Sequence, residues 1–324
     1  MKQLAALGLA VVLVLSCCRS SPRRGLTRIA IAQYITHPAL DETREGYVRE
    51  MQRLGFTEKN GYLLEYQNAG GELSTAKLIA ARFASGEYAL IFSIATPMSQ
   101  AVKSAAEGKG IPVVFGAITD PVSAGLAQSM DKPGNNITGT SDRWPYEKQM
   151  ELIRQVLPSA RRVGVVFNPG EANSRYAMQE TRRAAGAVGL ELVEAPVSSP
   201  SDIIAAVDSV ARRSDVLYVP ADNTAMAGAA AIVRRAERYR LPVVAGDPGT
   251  FAAGCLVGLG VSYRDLGVQA ALLTAKILRD KAKPGELPVV TSGRPKLMVN
   301  TAVARNLGIN IPEGVLRAAD EVIK

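Results

Sequence analysis

The chain has 324 residues, 47% of them hydrophobic, enough to bury a sizeable core. Its 38 Lys and Arg against 30 Asp and Glu give a formal net charge of +8, but the basic residues are dispersed among acidic ones. No Lys/Arg block interleaved with aromatics is present, which excludes nucleic acid as an expected partner. One histidine and three cysteines leave no ordinary zinc ligand set, so neither metal nor cofactor is expected.

The chain opens with Lys2 ahead of an uninterrupted apolar run of 12 residues, Leu4 to Leu15, that stops at Val14-Leu15-Ser16-Cys17. A run of that length suits a secretory signal and is too short to cross a hydrocarbon core of about 30 Å. Residues 1–16 are the pattern of a bacterial lipoprotein signal. Cleavage after Ser16 leaves Cys17 as the new N-terminus for lipid attachment, with Cys18 as the alternative, and residues 17–26 as a lipidated tether. The body is then extracytoplasmic, anchored on the cell surface or the periplasmic side. The third cysteine, Cys255, has no partner left and suits a small buried position.

Roughly 300 residues remain, a length that favours two compact lobes over one core. Short β-branched runs are expected as strands at Arg28 to Gln33, Tyr62 to Gln67, Ala89 to Ser93, Pro112 to Ala117, Arg162 to Asn168, Glu191 to Ala195, Asp215 to Val219, Pro242 to Ala245 and Cys255 to Val261. Helical spacing lies between them, at Leu40 to Leu54, Ser74 to Ala84, Pro97 to Glu107, Glu147 to Val156, Asn173 to Val188, Ile203 to Arg212, Thr224 to Tyr239 and Tyr263 to Lys281. Such alternation means parallel sheets covered by helices, an α/β chain of two doubly wound parallel-sheet lobes. The series pauses at Lys132 to Asn136 and at Lys283 to Pro288, both taken as crossings between lobes. The expected division is 27–142 plus 260–287 for the first lobe and 143–259 plus 288–324 for the second, joined by a hinge of three crossovers.

Ligands of open parallel sheets sit beyond the carboxyl ends of strands, so the residues there are the candidates. Ser93-Ile94-Ala95-Thr96-Pro97 offers hydroxyls and a helix start that suits a carboxylate, or Thr96 merely caps its own helix. Thr119 lies in Thr119-Asp120-Pro121, an ordinary turn opener. Asp142, Asp222 and Asp247 each follow a strand-like segment; converging, they would hold a cation, and singly each would be a cap or turn residue. Asn173 and Ser174 supply a further polar strand-to-helix turn. Tyr34, Phe115, Trp144 and Tyr263 are candidates by position for packing against a ligand, although for Trp144 packing of the hinge is the favoured reading. His37 can face the cleft or order its loop. Asp222→Ala is expected to abolish binding of an amine-bearing ligand and to leave the fold intact.

At these residues the chain resembles the ABC-transporter substrate-binding lipoproteins related to the tryptophan and tyrosine uptake proteins. The resemblance is carried by His37-Pro38-Ala39-Leu40-Asp41, Arg44-Glu45-Gly46, Ala95-Thr96-Pro97 with Gln100-Ala101, Thr119-Asp120-Pro121-Val122, and Asn136-Ile137-Thr138-Gly139 with Ser141-Asp142. It continues through Asn168-Pro169, Glu171-Ala172-Asn173-Ser174, Asp222-Asn223-Thr224 and Ala245-Gly246-Asp247. It implies the type I periplasmic-binding-protein fold, with Ser93 to Ser99, including Thr96 and Ser99, on one wall of a cleft, and Asn173, Asp222, Asn223 and Asp247 on the other. It further implies capture of a small solute, an aromatic amino acid being favoured, for a permease with a separate ATPase. A sensory receptor of the same fold, or uptake of a solute other than an amino acid, are the alternatives. The chain carries no P-loop and no Gly-x-Ser-x-Gly elbow, so an enzyme is not expected, and a monomer is.

Overall fold

The computed structural model describes residues 25–324, so the signal, Cys17 and Cys18 lie outside the described residues. The first seven strands are β1 (Thr27–Gln33), β2 (Tyr62–Asn68), β3 (Tyr88–Ile94), β4 (Val113–Ile118), β5 (Ile137–Ser141), β6 (Arg162–Phe167) and β7 (Glu191–Pro196). They are followed by β8 (Val216–Val219), β9 (Val243–Ala245), β10 (Val257–Gly260), β11 (Val290–Thr291), β12 (Lys296–Asn300) and β13 (Glu321–Ile323). One sheet has the order β11, β5, β4, β3, β1, β2, and the other β13, β12, β10, β9, β8, β6, β7. Every pairing is parallel except β10 with β12. Strands such as β3, β4 and β8, which are apolar along nearly their whole length, are buried on both faces by helices.

The chain passes between the sheets three times, after β5, after β10 and between β11 and β12. Neither expected pause is a crossing. Both turns belong to the first lobe, where Gly134 N–H donates to the Gly285 carbonyl at 3.0 Å, and each feeds a further strand of the first sheet. Val290–Thr291 pairs with β5, which moves the last boundary from 287/288 to the segment between Thr291 and Lys296. Two residues with no alternation to speak of carry no strand signal of their own; only the waiting edge of β5 makes them one. The helical pattern Thr224 to Tyr239 divides into Asn223–Ala227 and Ala229–Glu237. Gly228 leaves the helical region there, and a Cβ on it would lie 1.9 Å from Ile203 Cδ1.

The helix Tyr263–Arg279 returns from the second lobe to pack on Pro38–Arg53 of the first. Glycines make the approach close: a Cβ on Gly267 would meet Thr43 O at 2.0 Å, and one on Gly46 would meet Arg264 O at 2.2 Å. Below, Tyr47 stacks on Phe92 with ring centroids 3.9 Å apart, and its hydroxyl shares a hydrogen bond with Thr274. Gly267→Ala is expected to destabilise by about 1–3 kcal/mol, because backbone, not a flexible side chain, stands in the way and must move. A urea melt measures this, and an unchanged midpoint would show that the helices slide apart without cost.

Candidate functional site

The first-lobe wall begins where β3 ends. Ala95 has φ 77° and ψ 153°, a conformation that L residues rarely adopt, and Ala117, next to the last residue of β4, has φ 57°. Strain of this kind costs about 1–3 kcal/mol and persists only where its surroundings enforce it. Here it turns the chain sharply into the helix Thr96–Ala106, leaving the helix start facing the second lobe. Ser93 and Ser99 are wholly buried and their hydroxyls hydrogen-bond each other at 2.8 Å. Thr96 Oγ1 is buried with no hydrogen-bond partner among the described residues, so it does not cap its own helix. A start with free N–H groups, the positive end of the helix dipole and an unused hydroxyl suits an anion.

A second group gathers at the crossovers. Tyr263 OH donates to Asp142 Oδ2, and Trp144 Nε1–H donates to Tyr263 OH at 3.1 Å. Gly246 lies so close to Trp144 that a Cβ there would be 1.8 Å from the ring, and a Cβ on Gly260 would be 2.6 Å from Asp247 Cα. Asp142, Trp144, Tyr263 and Asp247 therefore share one buried corner. Asp247 Oδ1 caps the short helix Pro248–Phe251 by accepting from Thr250 N–H at 3.0 Å. Asp247 Oδ2 and Asp142 Oδ1 are buried and have no partner among the described residues. Burial pushes the Asp247 carboxyl up to about 6, with Asp142 adding to it, and burial likewise raises Asp142 against the hydrogen bond from Tyr263. Two desolvated carboxyls with spare oxygens favour a cation between them.

The third group spans the cleft. Glu171 is buried and accepts from Asn223 Nδ2 at 2.5 Å, Thr224 Oγ1 at 3.0 Å, Asn173 Nδ2 at 3.2 Å and Asn223 N–H at 3.4 Å. From the first lobe, His37 Nε2 lies 3.3 Å from Asn223 Oδ1. Burial lowers the His37 pKa to about 4, so the ring is neutral at pH 7. Tyr34, on the same loop, is pushed up to about 12 by burial and then by Glu171.

Asp222 requires a correction. It is wholly buried; Oδ1 accepts from Ala225 N–H at 2.7 Å as the cap of Asn223–Ala227, and Oδ2 accepts from Asn168 N–H at 2.5 Å. It joins two strand-to-helix turns, so removing it is expected to cost fold stability rather than leave the fold intact. Burial and then Glu171 push its carboxyl up to about 7. Glu171 and His37 are what the sequence reading missed as a working pair. A glutamate in the cap position, where Ser, Thr, Asp or Asn is usual, is the signal that could have exposed Glu171. Ser174 is buried at the start of Ala172–Ala187, while Phe115 packs on Gly139 inside the first sheet.

The hydrogen bond between His37 and Asn223, and Pro38 packed on Gly249, mean that the lobes are closed on each other. Among the described residues no helix is long and apolar enough to cross a membrane, and no His, Cys, Asp and Glu group is arranged to hold a metal. Two α/β lobes joined by three crossings define the type I periplasmic-binding-protein fold. The family model described as ABC transporter substrate binding protein matches residues 28–323, and the chain belongs to that family.

Among its relatives is the tyrosine-binding protein of Clostridioides difficile (strain R20291), 34% identical over 272 residues, which are 84% of this chain and 78% of that one. An ABC domain in complex with L-Trp from Streptococcus pneumonia is 30% identical, with a TM-score of 0.88, over 92% of this chain and 100% of that one. The ligand-free, open structure of a substrate-binding protein with adhesive properties from Clostridium difficile is 32% identical with a TM-score of 0.68, over the same shares of each chain. The present chain matches the ligand-bound neighbour better, as its cross-cleft contacts require.

Proposed function

We propose that this protein captures an amino acid between its lobes and delivers it to a membrane permease driven by a separate ATPase. The observation that carries this is the distribution of unused buried polar atoms. Thr96 Oγ1, at a helix start, lies on one wall, and the free oxygens of Asp142 and Asp247 lie at the crossovers. A carboxylate placed at the first and an ammonium at the second would complete both sets, which an amino acid does and a neutral sugar does not. The described residues offer binding but no nucleophile and base poised together, so capture without chemistry is the reading they support. Ligands of the two similar proteins named above, tyrosine and tryptophan, favour an aromatic side chain. Lipid attachment at Cys17, or at Cys18, would hold a monomer outside the cytoplasmic membrane beside its permease. Closure then supplies the signal, since a permease can respond only to a state that the ligand favours.

A thermal-shift screen of the purified protein against amino acids, sugars, nucleosides and small carboxylates tests this. An amino acid at about 100 times its dissociation constant should add about 2.7 kcal/mol of stability. Stabilisation by a sugar or nucleoside, with none by any amino acid, would overturn the reading.

A further inference from the structure

His37 occupies the cap position of the helix Pro38–Arg53, yet its side chain makes no cap hydrogen bond. The ring is turned across the cleft to Asn223 of the other lobe, and it is buried. The orientation of the Asn223 amide is set from behind. Glu171 accepts from four donors, two of them on Asn223, and these hydrogen bonds favour its carboxylate form against the burial that raises it. A carboxylate accepts only, so Asn223 Nδ2 must face Glu171 and Oδ1 must face His37. An amide oxygen also accepts only, so the proton of the neutral imidazole must be on Nε2. Nδ1 is then a lone-pair acceptor, and it is buried without a partner among the described residues.

We propose that His37 Nδ1 accepts a hydrogen bond from an N–H or O–H on the side chain of the bound amino acid, with Asn223 and Glu171 as positioning residues that fix its tautomer across the closed cleft. The proposal rests on the amino-acid reading above and adds a specificity rule to it. A ligand carrying the donor satisfies the acceptor and holds the loop of the first lobe against the second. A ligand of the same shape without the donor leaves the acceptor unsatisfied in a dry site. Because Glu171 and Asn223 belong to the second lobe and His37 to the first, the tautomer is imposed only on closure, so recognition and closure are one event.

His37 is the only histidine of the chain, so ¹⁵N-histidine labelling of the purified full-length protein gives a single imidazole to follow. The protein closed on a bound amino acid should show Nδ1 unprotonated and Nε2 protonated. Tyrosine should shift the Nδ1 resonance in the direction of hydrogen-bond acceptance and phenylalanine should not, and tryptophan should likewise differ from its benzothiophene analogue, in which sulfur replaces the indole N–H. By calorimetry, the donor-bearing member of one pair should bind at least about tenfold tighter, and His37→Phe should remove that ratio while amino acids still bind. A protonated Nδ1, or a donor preference that survives His37→Phe, would overturn the proposal alone. Failure of every amino acid to bind would instead overturn the amino-acid reading, and this inference with it.

Discussion

Asp222→Ala is expected to lose about 2–4 kcal/mol of folding stability, lowering the melting temperature by roughly 5–10 °C. The change strips the acceptor from two backbone N–H groups at once, the buried one of Ala225 and the half-buried one of Asn168. One is the first turn of a helix and the other is the end of the β6 turn, so the lesion loosens the whole edge of the second lobe that carries Glu171 and Asn223. Relief of the Asp222 and Glu171 repulsion returns only part of this, because with a pKa of about 7 Asp222 is already about half protonated near neutrality. Asp222→Asn, which keeps one acceptor, should fall between. Differential scanning calorimetry of both variants decides, and a wild-type melting curve for Asp222→Ala would remove the residue from the framework of the cleft.

Asp247→Asn combined with Asp142→Asn should weaken amino-acid binding by about 100-fold or more, since an ammonium would enter a dry corner with no carboxylate to meet it. Asparagine at 247 can still cap Pro248–Phe251 through its side-chain oxygen, so the double variant should fold. In the native protein the same corner gives two pH dependences of opposite sign. Ligand binding needs Asp247 ionised, and in the closed, ligand-free protein its pKa is about 6; affinity should therefore fall as pH drops through about 6. Folding stability without ligand should move the other way. Asp222 and Asp247 titrate at about 7 and about 6 when folded, above the 3.8 of an unperturbed aspartate, so the folded state holds protons the unfolded state lacks, and stability falls as pH rises through that window. His37, lowered from 6.5 to about 4, opposes this by losing stability as pH falls from 6.5 to 4. Two carboxyls against one imidazole leave a ligand-free melting temperature that is higher near pH 5 than near pH 7. Isothermal titration and melting at a few pH values separate the two; parallel trends would mean that Asp247 does not meet a cation.

How the site was legible follows from the kind of signal each residue gives. Thr96 was visible because a Thr-Pro pair after an apolar run marks a helix start, and the same pattern could not say whether the hydroxyl caps the helix or is left unused. Asp142, Asp222 and Asp247 were visible as a set because each follows a strand end. They look alike in sequence and differ in the fold: Asp222 has both oxygens on backbone N–H groups, Asp247 has one, and Asp142 has one on a tyrosine hydroxyl. Glu171 gave no pattern at all beyond an unusual residue at a cap, because its four donors come from three separate residues brought together by the β8 turn and its own helix.

By itself the sequence determined the alternation of strand and helix, the doubly wound parallel lobes and the places where a ligand could lie. Those properties are local: apolar runs covered on both faces, helical spacing and turn residues act over a few positions at a time. The tertiary structure decided the rest, because the rest depends on partners far along the chain. Val290–Thr291 became a strand through β5, about 150 residues earlier in the chain. The helix after Asp222 broke at Gly228 where Ile203 leaves no room for a side chain. Which aspartate oxygens remain free was settled by hydrogen bonds within each lobe and at the crossovers, and the partner of His37 by a contact that exists only once the two lobes have met.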